Sequence, residues 1–256
     1  DALSSNQMWH GGPMPAYEHF AAFYDVVMDD PGPRAQRVDA AIESFRPDAG
    51  SLLELGCGTG AILARLSTAA TLTGLDLSPE MLAIAGRTVP GAHLILGDMS
   101  EFELSRRFDV IICVFDSINH LMNVADWASL MRCVHAHLAD DGIFVLDVNT
   151  IGELRRLGDE LPWVYDFDGG TAIIDVTFAE DAHGVGVSDW NIRVFEQVKA
   201  SRYELCHERI GEIALPLDRV RLLVADGFDL LEEVDEDGLP ATDESVKAYF
   251  VLRRVN

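Results

Sequence analysis

Between residues 51 and 148 the apolar positions come in short β-favouring runs, and between those runs they recur at helical spacing. The runs are Leu52 to Leu55, Leu72 to Leu75, His93 to Leu96, Val110 to Val114 and Ile143 to Val148. Helical spacing covers Ala61 to Ser67, Pro79 to Arg87 and Val124 to Leu138, the last closed by "ADDG", where Gly142 suits a turn into the next strand. Such alternation predicts a parallel sheet with crossover helices. Ahead of it, Tyr17 to Met28 and Arg34 to Phe45 read as two helices placed to fold across the open edge of the sheet.

After Thr150 the pattern changes. Between Leu161 and Ala214, the stretches "TAIIDVTF", "VGVSDWNIRVFEQV" and "YELCHERIGEIAL" are divided by turn signals, which predicts an antiparallel insert. A helix over Leu217 to Asp226 follows, then "FDLLEEVDE" and "SVKAYFVLRRV", two strands joined by a polar turn holding Gly238 and Pro240. The expected organisation is a helical lid over 1–47, a core unit over 48–158 with 215–256, and a β insert over 159–214. With 256 residues, 48% of them hydrophobic, the chain can bury a full core.

Composition narrows the class of partner. A formal net charge of −24 repels phosphate backbones and offers no basic stripe, so nucleic acid is not expected as a partner. The longest strongly apolar run, Val110 to Phe115, is far short of the roughly 20 residues of a membrane span. The stretch Asp1 to Gly12 is polar and carries no secretory pattern. Cys57, Cys113, Cys133 and Cys206 form no C-x-x-C pair, a usage that suits a reducing cytoplasm. His135 and His137, two apart on a helix, point in different directions, and no metal is expected. An exposed β insert has edges that often pair, so a homodimer is an open expectation.

Candidate chemistry begins at "LLELGCGTGAILARL", residues 52 to 66, a glycine-dense turn between strand and helix. The spacing of Gly56, Gly58 and Gly60 is one residue tighter than the dinucleotide fingerprint, yet the physical consequence is the same: a ligand can lie directly on the backbone at the carboxyl end of the first strand. A tight structural connection would read the same way. Asp76 after the second strand could accept both hydrogen bonds of a ribose diol, or begin the helix that Ser78-Pro79 announces. Asp98 after the third strand is placed for an adenine amino group, or is a helix cap or plain loop charge. Glycines and acids after three successive strands point together to an adenosine-bearing ligand.

"LLELGCGTG", "GLDLSPEML", "GDM" and "FDVIICVFDSINHL" together resemble the class I S-adenosylmethionine-dependent methyltransferases. The resemblance implies an α/β fold, a doubly wound Rossmann-like sheet of seven mostly parallel strands, here with the antiparallel insert after the fifth. It implies S-adenosyl-L-methionine as cofactor, with Glu54 and the turn Gly56, Cys57, Gly58, Gly60 at the methionyl part, and Asp76 at the ribose. Leu77 and Met99 would cover the adenine, Asp98 would meet its amino group, and Tyr24, Met81 and Phe115 complete the expected set. A nearer similarity is to small-molecule N-methyltransferases of the amino-sugar type, carried by Tyr17, Tyr24-Asp25 and the stretch Ser117 to Leu121. Departures are Asp116 ahead of Ser117 and "DVNT" at the end of the fifth strand.

Methyl transfer to a small-molecule amine is the expected activity, with O-methylation of a hydroxyl or carboxylate, a noncatalytic nucleotide binder, and an NAD-dependent enzyme as competing readings. His120 is the first candidate base, because imidazole titrates near neutrality, although a histidine bonding within a helix start fits the same position. Asp116 is the alternative base, and Tyr17 and Tyr24 are candidates to cover the donor and orient an acceptor, or simply to pack.

Overall fold

The computed structural model describes residues 20–28, 30–68 and 70–255, so Tyr17 lies outside the described residues. A seven-stranded sheet forms the centre, built from β1 (Ser51–Leu55), β2 (Thr71–Asp76), β3 (His93–Leu96), β4 (Phe108–Cys113), β5 (Leu138–Asn149), β10 (Phe228–Val234) and β11 (Lys247–Arg254). Its order is β10-β11-β5-β4-β1-β2-β3, with β11 antiparallel to both neighbours and the other pairs parallel. This is the doubly wound mixed sheet expected from the alternation of runs. The order reverses between β1 and β4, which opens a crevice at their carboxyl ends.

Alternate residues of each strand serve opposite faces. Leu53 and Leu55 of β1, Ile111 of β4, Phe144 and Leu146 of β5 and Phe250 of β11 pack against α4 (Val124–His137) and α6 (Leu217–Ala225), around a fully buried Trp127. Leu52, Val110, Ile112, Ile143 and Val145 meet Ala35, Val38, Ala41 and Ile42 of α2 (Gly32–Phe45). The second helix of the expected lid therefore covers a face of the sheet rather than its edge, because its apolar stripe matches that face. Of the first, the described residues form a 3-10 turn at Phe20–Ala22 and one α-turn, α1 (Tyr24–Val27). Phe20 and Val27 pack against the second sheet.

That second sheet has the order β6-β7-β8-β9, all antiparallel: β6 (Trp163–Phe167), β7 (Gly170–Glu180), β8 (Gly186–Lys199) and β9 (Arg202–Ala214). A helix absent from the sequence reading, α5 (Ile151–Asp159), precedes it and buries Ile151, Leu154 and Leu157 against Val176 and Ala214. α3 (Pro79–Thr88) forms as expected, with Ser78 accepting from the Met81 amide as its N-cap. The helix expected over Ala61 to Ser67 shrinks to a 3-10 turn, Leu63–Arg65. Asp39 of α2 takes both the amide and the hydroxyl of Ser67, so the chain leaves the turn there instead of extending it. At "ADDG" the left-handed residue is Asp141, with φ 61°, while Gly142 is needed for room, since a Cβ there would lie 2.9 Å from the Ala139 carbonyl oxygen.

Candidate active site

The glycine turn hangs from the sheet by two backbone bonds, the amides of Gly56 and Cys57 donating to the Leu75 carbonyl. Gly56, Gly58 and Gly60 all have positive φ, at 67°, 51° and 76°. A Cβ on Gly56 would strike Ser117, and one on Gly60 would press on Ala85 of α3 and on Val89 just beyond its end, so both positions are closed by the protein itself. A Cβ on Gly58 would meet nothing within 4 Å. Gly58 is therefore where a ligand can reach the backbone. The Cys57 side chain turns inward against Gly74, and burial followed by the charges of Glu54 and Asp76 pushes its thiol up, so only its backbone faces the turn.

Two carboxylates flank this turn. Glu54 is 2% exposed, and its Oε2 has no hydrogen-bond partner among the described residues. Burial, and then the charge of Asp76, hold its carboxyl well above the usual range. A buried carboxylate oxygen without a donor is costly, and an N–H or ammonium group brought by a ligand would relieve it. Asp76 accepts the Gly58 amide on Oδ2 at 2.7 Å and the Ser78 amide on Oδ1 at 2.8 Å. Burial raises its pKa despite these two bonds. It braces the glycine turn, and Ser78, not Asp76, caps α3. Each Asp76 oxygen keeps a lone pair for a diol.

Leu77 stands 53% exposed beside Asp76, an apolar surface open to a flat ring. Asp98 commits Oδ1 to the amide and hydroxyl of Ser100, and Met99 packs partly on the core. Met81 is buried at 2% exposure and contributes its amide to Ser78, which makes it a support of the α3 start. A cleft of about 170 Å³ beside the turn is lined by Tyr24, Glu54, Gly58, Thr59, Phe115 and Ser117, among others. Asp25 of α1 accepts the Thr59 hydroxyl at 2.7 Å, so the short first helix is pinned to the glycine turn. The Tyr24 and Phe115 rings lie 6.5 Å apart, and Arg34 stacks 3.9 Å from the Phe115 centroid. Burial and then the Asp116 charge raise the Tyr24 hydroxyl pKa, which leaves Tyr24 a hydrogen-bonding group and not a base.

The end of β4 leads into a second, drier group of polar residues. Phe115 and Asp116 are left-handed, with φ 65° and 54°, a conformation costly for residues with side chains. Asp147 of β5 holds them there: its carboxylate accepts the Phe115 amide at 2.9 Å and the Asp116 amide at 2.7 Å. Lys247, 5% exposed at the start of β11, donates to Asp116 and, at 2.6 Å, to Asn149 Oδ1. Asn149 Nδ2 donates to Glu212 Oε2 at 3.0 Å, and Asn119 ties the Asn149 backbone to Ile213. His120, in the 3-10 turn Ser117–His120, has Nδ1 at 3.3 Å from the Gly211 carbonyl oxygen. A carbonyl can only accept, so Nδ1 is the donor in this contact.

Asp116 is thereby revised as a base. Burial acts to raise its pKa, but the Lys247 charge and hydrogen bond outweigh burial and hold the carboxyl below the usual range. Glu212 goes the other way: burial, then the charge of Asp116, push it up to about 7. Donor atoms of Asp116, His120 and Glu212 lie within 4.8 Å of one another. Three such donors would suit a divalent ion, yet the Lys247 ammonium already sits on Asp116 and opposes a further cation. Glu212, Lys247 and Asn149 were not picked out from sequence. The only signals were the "DVNT" departure, which contains Asp147 and Asn149, and a single lysine opening the otherwise apolar strand "KAYFVL". Ser117 joins the two halves of the site, its hydroxyl lying 3.4 Å from the Gly56 carbonyl.

Residues 52–142 match the family model described as "Methyltransferase domain". The chain is 39% identical over 142 residues to a dTDP-3-amino-3,6-dideoxy-alpha-D-glucopyranose N,N-dimethyltransferase of Streptomyces fradiae, covering 53% of this chain and 56% of that protein. The alignment thus spans little more than half of that relative. A putative methyltransferase of Geobacillus sp. (strain WCH70) is 31% identical over 248 residues, covering 93% of this chain and 99% of its own. Among solved structures, an amino pentose methyltransferase from Micromonospora echinaspora involved in calicheamicin biosynthesis, bound to S-adenosylmethionine, superposes with a TM-score of 0.71 at 25% identity. That superposition covers 96% of this chain and 100% of the other. Among the described residues, no helix is long and apolar enough to cross a membrane.

Proposed function

The chain belongs to the S-adenosylmethionine-dependent methyltransferases, and from that premise we propose that it methylates the amino nitrogen of a small acceptor, an amino sugar in the first instance. The observation that carries this reading is the contact, through Ser117, between a glycine turn open at Gly58 and a buried group of charged side chains at the end of β4. The first half receives the donor and the second the acceptor. The amino-sugar assignment rests on the Streptomyces fradiae relative, whose named substrate is such a sugar.

S-adenosylmethionine supplies an electrophilic methyl group on a sulfonium. The protein's own residues supply position, dryness and a place for a proton. The unpartnered Glu54 oxygen and the Gly58 backbone receive the methionyl part, Asp76 the ribose diol, Leu77 and Met99 the ring, and Asp98 its amino edge. Tyr24 and Phe115 close over the donor side and exclude water, with Asp25 pinning the cover to Thr59. Holding two reactants in line contributes ~7–11 kcal/mol of barrier reduction in well-oriented systems, which is why geometry dominates here. His120 takes part in proton transfer at the cluster, since Asp116 is tied to Lys247. An amine suits this machinery better than a hydroxyl, because it needs a proton removed at pH near neutrality and not a strong base. Residues 48–158 with 215–256 act as the donor unit, and 159–214 as the wall of the acceptor site. The exposed β6 edge, with Val164 at 60%, is where a second copy would pair.

The test is methyl transfer from labelled S-adenosylmethionine to the dTDP-linked 3-amino sugar, to the free amino sugar and to their hydroxy counterparts. Transfer to nitrogen is expected, and transfer confined to hydroxyl acceptors refutes the proposal. His120→Asn, which can still donate to the Gly211 carbonyl, should lower turnover by roughly 10²-fold with S-adenosylhomocysteine affinity nearly unchanged. Full activity in that variant excludes His120 from proton transfer.

A further inference from the structure

Two carboxylates of the polar group meet their charge in different ways. Asp116 has a cation of its own in Lys247. Glu212, delivered by β9 of the insert and only 3% exposed, has a neutral donor: Oε2 takes the Asn149 amide at 3.0 Å, and Oε1 accepts nothing among the described residues. The groups facing it are Asp116 after β4, His120 in the 117–120 turn, Asn149 on β5, Lys247 on β11 and, across the ladder on β8, Ser188. Within this set the one ammonium is already engaged by Asp116 and Asn149. A buried carboxylate left in that state favours a cation or a proton brought from outside.

Resting on the reading that the acceptor is an amine, we infer that Glu212 binds the acceptor's ammonium and takes its proton before transfer, so that the insert selects amines over hydroxyls. The ammonium N–H bond breaks with its electron pair staying on nitrogen, and an O–H bond forms on Glu212 Oε1. The freed lone pair then forms the N–C bond to the methyl as the C–S electrons return to sulfur, and the positive charge ends on the methylated nitrogen. One proton per methyl group leaves Glu212 for solvent on product exchange. Burial and the Asp116 charge, which push this carboxyl up to about 7, let it both accept and release a proton near neutrality. His120 serves as the relay to solvent, its ring within 4.8 Å of the carboxylate.

The experiment is the pH profile of kcat/KM for the amino sugar at saturating S-adenosylmethionine, in the wild type and in Glu212→Gln, whose amide oxygen can still accept from Asn149. The wild-type profile should rise through about pH 7. The variant should lose about 10²-fold near neutrality, recover towards alkaline pH where the amine is itself deprotonated, and keep its S-adenosylhomocysteine affinity within about twofold. No loss, or a loss equal at every pH, overturns the assignment, because a purely structural role would not be rescued by free amine. Should Glu212→Gln fail to fold, calorimetry on the S-adenosylhomocysteine complexes of the wild type and His120→Asn decides. Both retain Glu212, so both should prefer the amino sugar over its hydroxy counterpart increasingly between about pH 6 and pH 8. A pH-independent preference overturns this assignment alone, and absence of amine binding by the wild type overturns the functional reading with it.

Discussion

Replacing Lys247 by Met tests how the end of β4 is held. The substitution keeps the length and apolar stem of the side chain while removing the charge that faces Asp116 and the 2.6 Å bond to Asn149. Removing one partner of a buried pair typically costs ~3–5 kcal/mol, because the other is left as an uncompensated charge. The Asp116 side chain retains 18% exposure and Arg34 still acts on it, which places the expectation at the lower end, about 3 kcal/mol. For a chain of this size that corresponds to a fall in Tm of roughly 6–12 °C. Urea unfolding monitored by circular dichroism would measure it, with the slope unchanged. Asp116→Asn added to Lys247→Met should recover about 1–2 kcal/mol, since the stranded charge is gone. The pH dependence has a definite sign. In the wild type the depressed pKa of Asp116 contributes stability that is present above its unfolded value near 3.9 and lost as pH falls through the folded value. Without Lys247, burial raises that pKa, so the variant's deficit should be smaller at about pH 5 than at about pH 8. A Lys247→Met protein within about 0.5 kcal/mol of the wild type, or a double variant no better than the single, would refute the account.

Other consequences concern the glycine turn. Asp76→Ala removes the acceptor of the Gly58 and Ser78 amides and the proposed ribose ligand, so S-adenosylhomocysteine affinity by calorimetry should fall at least about tenfold, at ~1.5–3 kcal/mol for charge-assisted bonds. Gly58→Ala forces a left-handed alanine, at ~1–2 kcal/mol, and puts a methyl into the open space over the turn. Cofactor affinity should drop more than about tenfold, well beyond what its thermal shift implies. Gly91→Ala, where φ is ordinary and a Cβ also meets nothing, is the control that should show neither effect.

What the sequence by itself determined is local. Alternating runs and helical spacing specified the strands of the main sheet, Ser78-Pro79 specified the start of α3, and three closely spaced glycines specified a backbone that a ligand can approach. These signals lie within a few residues of the structure they cause. Tertiary structure decided the rest. The Ala61 to Ser67 helix was cut short by Asp39, which is distant in sequence. Helix α5 was obscured by Gly152 and Gly158, residues that weaken helical signal yet are required by packing: a Cβ on them would lie 2.7 Å from the Asp243 carbonyl oxygen and 2.5 Å from the Phe178 Cβ. The donor half of the candidate site was legible because one turn and the strand ends beside it build it. The acceptor half was legible only at Asp116 and His120, since these two share one turn while Asn149, Glu212 and Lys247 come from three other places in the chain and join them only when β9 of the insert folds back onto the end of β4. Charge alone does not say which carboxylate keeps a counter-ion. That depends on Lys247 reaching Asp116 and not Glu212, a distance that exists only in the folded protein.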